Sequence, residues 1–327
     1  MHYRSFGRER IEISEVGLGC WQIGGNWAEV EESTARDILR TSLDRGINLL
    51  DTADVYGAGR SESIIGDYLG GKTDDLFIAT KVGRGEGIYP DNYTADTIRP
   101  RIEDSLRRLK VEALDLVQTH CIPLEAMEEG STYQVLRDLQ REGKIIRFGA
   151  SVETMEEANW AIDNIPDLYS LQIIFNVFRQ KPISDLFDQA KAKQVGILAR
   201  VPLASGLLTG KFTPESTFGE GDHRTFNKDG EAFNVGETFA GLPFLKGVEL
   251  ANALKAMKEP SMPMAQWALR WILDFDAVST VIPGASKVSQ IESNAAASSL
   301  ESLSEETHQE LREFYENSIK DHIRGPY

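Results

Sequence analysis

The chain has 327 residues, 41% hydrophobic and 26% charged, enough apolar material to bury a large core. Its net charge of −16 argues against nucleic acid, whose binding depends on a basic face that neutralises phosphates. No apolar run reaches the roughly 18 residues of a membrane span, the opening Met1-His2-Tyr3-Arg4-Ser5-Phe6 lacks a secretory apolar stretch, and Cys20 and Cys121 alone make neither a disulfide framework nor a metal clip.

In chain order, residues 2–13 read as a hairpin turning near Gly7-Arg8, placed to plug the bottom of a barrel. Eight short apolar or β-branched runs follow as strands: Val16–Cys20, Ile47–Leu50, Leu76–Thr80, Leu114–Thr119, Ile145–Ala150, Ser170–Phe175, Gly196–Arg200 and Val278–Ile282. Helical patterns alternate with them. Glu32–Arg45 stops at Gly46. In Thr97–Lys110, Ile98, Ile102, Leu106 and Leu109 share a face, and Pro100 is accommodated if it lies in the first turn. Ser131–Arg141 opens with Ser131 and Gln134 at capping-box spacing and stops at Gly143. Residues 213–241 form a long Gly-rich acidic stretch, a length that inside a compact domain is usually functional or disordered. Ser304–Ile319 reads as an added helix with Leu311, Phe314, Tyr315 and Ile319 apolar.

Unbroken alternation of strand and helix implies a parallel α/β sheet, and eight repeats can close it. The expected fold is a (β/α)8 TIM barrel with an N-terminal β-hairpin and an extra C-terminal helix, residues 1–327 forming one domain. The competing doubly wound sheet would carry a G-x-G-x-x-G loop, but Gly17-Leu18-Gly19 and Gly57-Ala58-Gly59 both lack the third glycine.

In such a barrel, chemistry collects where strands end. The second strand runs into Asp51, with Tyr56 five residues on; the third runs into Lys81 and the fourth into His120. A phenol titrates near pH ~10. A neighbouring ammonium stabilises its anion, so Tyr56 beside Lys81 becomes a competent proton donor, with Asp51 holding Lys81 charged and His120 orienting a carbonyl oxygen. Singly, each residue has a plainer reading: a turn former, a loop anchor, a rim charge, a structural histidine. Such a site protonates an oxygen while hydride arrives from a cofactor, and it needs no metal.

Asn48-Leu49-Leu50-Asp51-Thr52-Ala53-Asp54-Val55-Tyr56-Gly57, with Ser61-Glu62 and Ile65-Gly66 after it, resembles the N-terminal signature of the aldo-keto reductase superfamily. Ile78-Ala79-Thr80-Lys81 resembles its lysine strand, and Ser105-Leu106-Arg107-Arg108-Leu109 running on to Asp115-Leu116-Val117-Gln118-Thr119-His120 resembles its histidine strand. Gly206-Leu207-Leu208-Thr209-Gly210-Lys211 is similar to the bacterial and plant branch. The resemblance implies a catalytic tetrad of Asp51, Tyr56, Lys81 and His120, with Tyr56 the general acid, and NADPH-dependent reduction of an aldehyde or ketone.

The resemblance also implies a dinucleotide laid across the barrel mouth. Ser151 and Gln172 match the carboxamide-binding positions, although Val152 stands where the family usually has Asn. Arg200 occupies the position of the ring that stacks on nicotinamide; a guanidinium can stack there, or pair with an acidic loop. Pro202, Leu203, Gly206, Leu207 and Lys211 match the pyrophosphate wrap, with Arg224 as a further clasp. Ile282, Gly284, Ser286, Lys287, Gln290 and Asn294 match the adenosine-phosphate site, where many relatives carry Arg in place of Gln290. NADPH is the expected cofactor and NADH the alternative. Trp21, Gln22 and the Gly83–Tyr89 segment are the expected substrate-facing residues. A cytoplasmic enzyme acting on a small-molecule carbonyl is expected, with no metal, nucleic acid or membrane; a monomer is compatible with the sequence, which fixes no oligomeric state. Two other readings compete: an accessory dinucleotide-binding subunit, as in potassium-channel β subunits, and a barrel aldolase using Lys81 as a Schiff base.

Overall fold

The computed structural model describes residues 1–25, 30–73, 75–258 and 260–327. Strands β1 (Tyr3–Phe6) and β2 (Ile11–Ser14) form the expected antiparallel hairpin, with Phe6 opposite Ile11. Eight more follow: β3 (Leu18–Gly19), β4 (Leu49–Asp51), β5 (Phe77–Val82), β6 (Leu116–His120), β7 (Phe148–Ser151), β8 (Ser170–Ile174), β9 (Gly196–Arg200) and β10 (Val278–Val281). They pair in parallel and in sequence order. Parallel bridges Val16–Val281 and Gly19–Gly284 join the two edges, where the Gly17 N–H donates to the Val281 carbonyl at 2.8 Å. The fold is a (β/α)8 barrel, whose closure leaves no sheet edge unpaired.

Several ladders run further into the mouth than the apolar runs suggest. Asp51, Lys81, His120 and Ser151 all belong to strands, because backbone pairing continues past the last apolar residue. At the opposite end the ladders start late: Leu114 and Ile145 meet only in an isolated bridge.

The hairpin closes the bottom. Phe6 is fully buried, with edge contacts to Phe77 at 5.4 Å and Tyr169 at 5.2 Å between ring centres. These rings join Ile13, Leu49, Leu116 and Leu198 in a core inside the barrel, separate from the larger one between sheet and helices. The Tyr169 hydroxyl donates to the Phe6 carbonyl at 2.8 Å, fixing the hairpin's depth.

Two helix expectations need correction. The helix Ser131–Arg141 has the expected bounds, but Gly130 is its cap; Ser131 already lies in the helix and donates to the Tyr93 carbonyl, so no capping box with Gln134 forms. The helix around Pro100 starts at Ala95, which puts Pro100 in the second turn. There the missing N–H does forfeit a bond, to the Asp96 carbonyl. The C-terminal helix is present as Glu305–Phe314, running on through a wider turn at Tyr315–Ile319, with Leu311, Tyr315 and Ile319 buried. The 213–241 stretch is ordered as short turns over the mouth, including His223–Phe226 and Val235–Glu237. Among the described residues, no helix is long and apolar enough to cross a membrane.

Phe6→Ala should cost about 3–5 kcal/mol, since the barrel wall cannot collapse around the lost ring. Urea unfolding checks this; a loss under ~1 kcal/mol would mean the hairpin does not close the core.

Candidate active site

Adjacent strand ends bring the four candidate residues together. Lys81 is 1% exposed, and its ammonium donates to Asp51 Oδ2 at 2.7 Å, the Thr52 carbonyl at 2.8 Å and the Tyr56 hydroxyl at 3.1 Å. An ammonium has three donors, and here each has an acceptor. The other Asp51 oxygen accepts from the Gln172 amide at 2.7 Å, and the same amide nitrogen donates to Gln118 at 3.0 Å. Tyr56 arrives on a turn closed by its N–H and the Ala53 carbonyl. Gly57 makes that turn feasible: its φ of +61° disfavours most side chains, and a Cβ there would also lie 2.0 Å from the Gly24 carbonyl oxygen. The Tyr56 ring stacks against Trp21 at 6.0 Å and meets the His120 ring edge-on at 5.9 Å.

Burial decides much of the electrostatics. It pushes the Tyr56 phenol above its ordinary value; the Lys81 ammonium pulls the other way but does not win. The expected net acidification by Lys81 is therefore corrected: the phenol stays protonated, and the ammonium stands ready to stabilise an oxyanion. Burial would lower Lys81, but Asp51 and Tyr56 more than offset it and hold the ammonium above its usual range. His120 is held well below the usual imidazole value by burial, then by Arg84 and Lys81, and is neutral near pH ~7.

Two cavities meet at Trp21 and Tyr56. The first, about 360 Å³, is a groove running from Asp51, Tyr56 and Gln172 past Arg200, Pro202, Leu203 and Gly206. It continues between Lys211 and Arg224 on one wall and Ile282, Gly284, Ser286 and Gln290 on the other, with Gln22 at its side. Four residues assigned to the dinucleotide by resemblance are not among those lining this cavity. Leu207 is buried and packs toward Gly247; Ser151 is buried beside Cys121; Lys287 is exposed; Asn294 is buried, its amide nitrogen unpartnered. Helical and strand geometry sends alternate side chains to opposite faces, so a contiguous motif cannot place all its side chains in one groove. Gln290 caps instead, its amide oxygen accepting from the Ser286 and Lys287 N–H groups at 2.8 and 3.1 Å.

The second cavity, about 1080 Å³, opens over Tyr56 and His120 and includes Arg84 and Tyr89 from the expected Gly83–Tyr89 segment. Here lies a cluster of which sequence reading offered only the pairing of Arg200 with an acidic loop. Arg84 pairs with Glu153 at 2.5 Å and Glu237 at 2.9 Å, and Arg200 approaches the same carboxylates at 3.7 and 3.4 Å. Arg200 thus takes the ion-pair arrangement while still lining the groove. Its partner Glu237 comes from the long stretch, which no local pattern flags. Cys121 and these two carboxylates come within 4.8 Å of one another. Burial pushes the Cys121 thiol up to about 12, however, burial and Glu237 push Glu153 up to about 7, and the two guanidinium groups already pair with Glu237.

Comparison with known proteins follows the same lines. Residues 15–316 match the model of the aldo/keto reductase family, and the chain belongs to that family. It is accordingly an oxidoreductase of the carbonyl–alcohol class. It is 32% identical over 335 residues to the aldo-keto reductase YhdN of Bacillus subtilis, covering 100% of this chain and 97% of that one. Among solved structures it is similar to the holo form of aldo-keto reductase AKR11C1 from Bacillus halodurans (TM-score 0.79, 25% identity, 99% and 100% covered). It is also similar to the glycerol dehydrogenase AKR11B4 from Gluconobacter oxydans (TM-score 0.78, 29% identity, 99% and 97% covered).

Asp54, beside this site, has both carboxylate oxygens buried and unpartnered. Burial, helped by Glu62, pushes it up to about 7. An unfolded Asp titrates near ~4, so between about pH 4 and 7 the folded chain binds the extra proton, and this group's stability contribution falls as pH rises through that window. Asp54→Asn should raise Tm relative to the parent at about pH 8, with the gap closing near about pH 4. An equal gap at both ends would show that Asp54 does not titrate there.

Proposed function

We propose that this enzyme reduces an aldehyde or ketone to an alcohol with NADPH, NADH being the alternative donor. Tyr56 is the general acid, Lys81 and Asp51 sustain it, and His120 orients the carbonyl oxygen. The observation that carries this reading is the Lys81 ammonium bonded at once to Asp51, Thr52 and the Tyr56 hydroxyl, at the junction of a groove and a chamber.

The groove fits an extended dinucleotide. Gln22 presents a buried amide oxygen without a partner, and Gly284 lets the groove wall come close, since a Cβ there would lie 2.0 Å from that oxygen. Lys211 supplies cationic charge for a pyrophosphate, with Arg224, held by Asp222, beside it, and Gln172 and Arg200 flank the end next to Tyr56. When bound, the nicotinamide supplies hydride to the carbonyl carbon. The protein's part is to hold the carbonyl oxygen between Tyr56 and the neutral His120, and to pass it the Tyr56 proton as negative charge develops. Lys81 stabilises the phenolate left behind, and Asp51 keeps Lys81 in place.

The aldolase alternative needs a neutral amine at Lys81, whereas Asp51 and Tyr56 favour the ammonium. Fluorescence titration with NADPH and with NADH, followed by turnover on aldehydes and ketones, tests the proposal. Tight binding with turnover is expected. Binding without turnover would favour the accessory-subunit reading, and binding of neither nucleotide would reject both. Tyr56→Phe should lower kcat about 10²–10⁴-fold while nucleotide affinity stays within about twofold.

A further inference from the structure

We propose that the chamber over Tyr56 and His120 selects carbonyl compounds that carry hydrogen-bond donors and no negative charge, with Glu153 and Glu237 setting the selectivity by occupying the guanidinium groups of Arg84 and Arg200. This rests on the reductase reading above.

Among the described residues, Arg84 is the one cationic side chain lining the chamber. A substrate carboxylate or phosphate would seek it, since a guanidinium binds such groups through paired N–H donors. Its Nη2 is already shared between Glu153 and Glu237. Arg200, reaching in from the groove side, faces the same two carboxylates and donates to the Val152 carbonyl at 3.0 Å. With both carboxyls ionised, two cations and two anions cancel. Arg84 and Arg200 hold Glu237 well below the usual carboxylate value, whereas burial and the Glu237 charge push Glu153 up to about 7, so the cancellation is complete only above that pH. An anionic substrate must break this cluster and leave a buried carboxylate without its partner.

The unpartnered atoms point to the complementary ligand. Glu153 Oε2, which faces the Arg200 guanidinium only at 3.7 Å, and His120 Nδ1 are buried, lack hydrogen-bond partners and belong to chamber-lining residues. When ionised, the Glu153 carboxylate oxygen only accepts, so it asks for a hydroxyl or ammonium from the substrate. Further out, the exposed Glu125, Glu156 and Glu231 line the entrance, and none forms an ion pair among the described residues. The adjoining groove differs, with Lys211 along it and Arg224, paired with Asp222, beside it. The mouth thus has a half suited to a polyanion and a half that repels one, against an overall charge of −16.

Three 4-alkoxybenzaldehydes, their tethers ending in hydroxyl, carboxylate or trimethylammonium, test this, because the ether insulates the aldehyde from the terminal charge. At low ionic strength the parent enzyme should use the carboxylate with a kcat/KM about tenfold below the hydroxyl compound, equivalent to ~1.4 kcal/mol. The trimethylammonium compound should match or exceed the hydroxyl one, and the contrasts should shrink as salt screens the entrance. Glu153→Gln, nearly isosteric, should raise the carboxylate-to-hydroxyl ratio about tenfold, chiefly through KM. The exposed pair Glu156→Lys/Glu231→Lys, which leaves the core untouched, should raise it in the same direction. Equal use of all three aldehydes, a preference for the carboxylate, or a ratio unmoved by both variants would overturn the inference while leaving the reductase reading intact. Turnover of none of them with either nucleotide would overturn that reading itself, and this inference with it.

Discussion

A lysine ammonium with 1% exposure is the constraint around which the mouth of this barrel is arranged. Removing such an ion from water costs several kcal/mol unless charge and hydrogen bonds are both returned. Lys81 receives both, from a carboxylate and a carbonyl at the end of β4 and from the hydroxyl of Tyr56 on the following turn. Those acceptors coincide only if β4 and β5 keep their register, with Asp51 opposite Ala79, and if the turn after β4 folds back over β5. Asp51 is held from across the barrel by Gln172 on β8. The same bonds that make Lys81 tolerable in the interior therefore fix the geometry of the phenol it serves.

Burial and charge compete throughout the site, and different groups settle differently. For Tyr56 burial wins and the phenol keeps its proton; for Lys81 the neighbours win and the ammonium keeps its charge. His120 loses its charge to burial and to the nearby cations. A donor phenol, a charged ammonium and a neutral imidazole coexist near neutrality because each sits at a different balance of the same two forces.

The cluster of Arg84, Arg200, Glu153 and Glu237 applies the same rule to a larger movement of chain. It ties the ends of β5, β7 and β9 to the segment spanning 213–241, which also bonds through Ser205, whose hydroxyl donates to the Glu237 carbonyl and accepts from the Phe239 N–H. At the C-terminus, Arg324 donates to Gly241, Lys228 and Leu242 carbonyls and pairs with Asp229, fastening the segment from its other side. A stretch with little regular structure is thereby ordered by paired charges and backbone acceptors, together with Phe218 and Phe239 packing against Phe212 and Phe244.

The sequence by itself determined the order of strands, the hairpin plug and the meeting of Asp51, Tyr56, Lys81 and His120. Each is a local signal: an apolar run ending in a polar residue, repeated on successive parallel strands, must bring those ends to one rim. Their mutual effects were less legible, since the net rise of Tyr56 depends on how completely the folded chain excludes water. Caps also went astray. Ser131 lies in the helix and not at its cap, because the preceding Gly130 adopts the left-handed turn that joins two helices, and Pro100 sits a turn deeper than its spacing suggested. Contiguous motifs named Ser151, Leu207, Lys287 and Asn294 alongside residues that line the groove, because a motif does not say which side of the backbone faces it. Only the tertiary structure decided that Glu237, 153 residues from Arg84 in the chain, would neutralise it. Such pairing depends on where a long segment lands, and that is fixed by contacts distant in sequence, which no local pattern encodes.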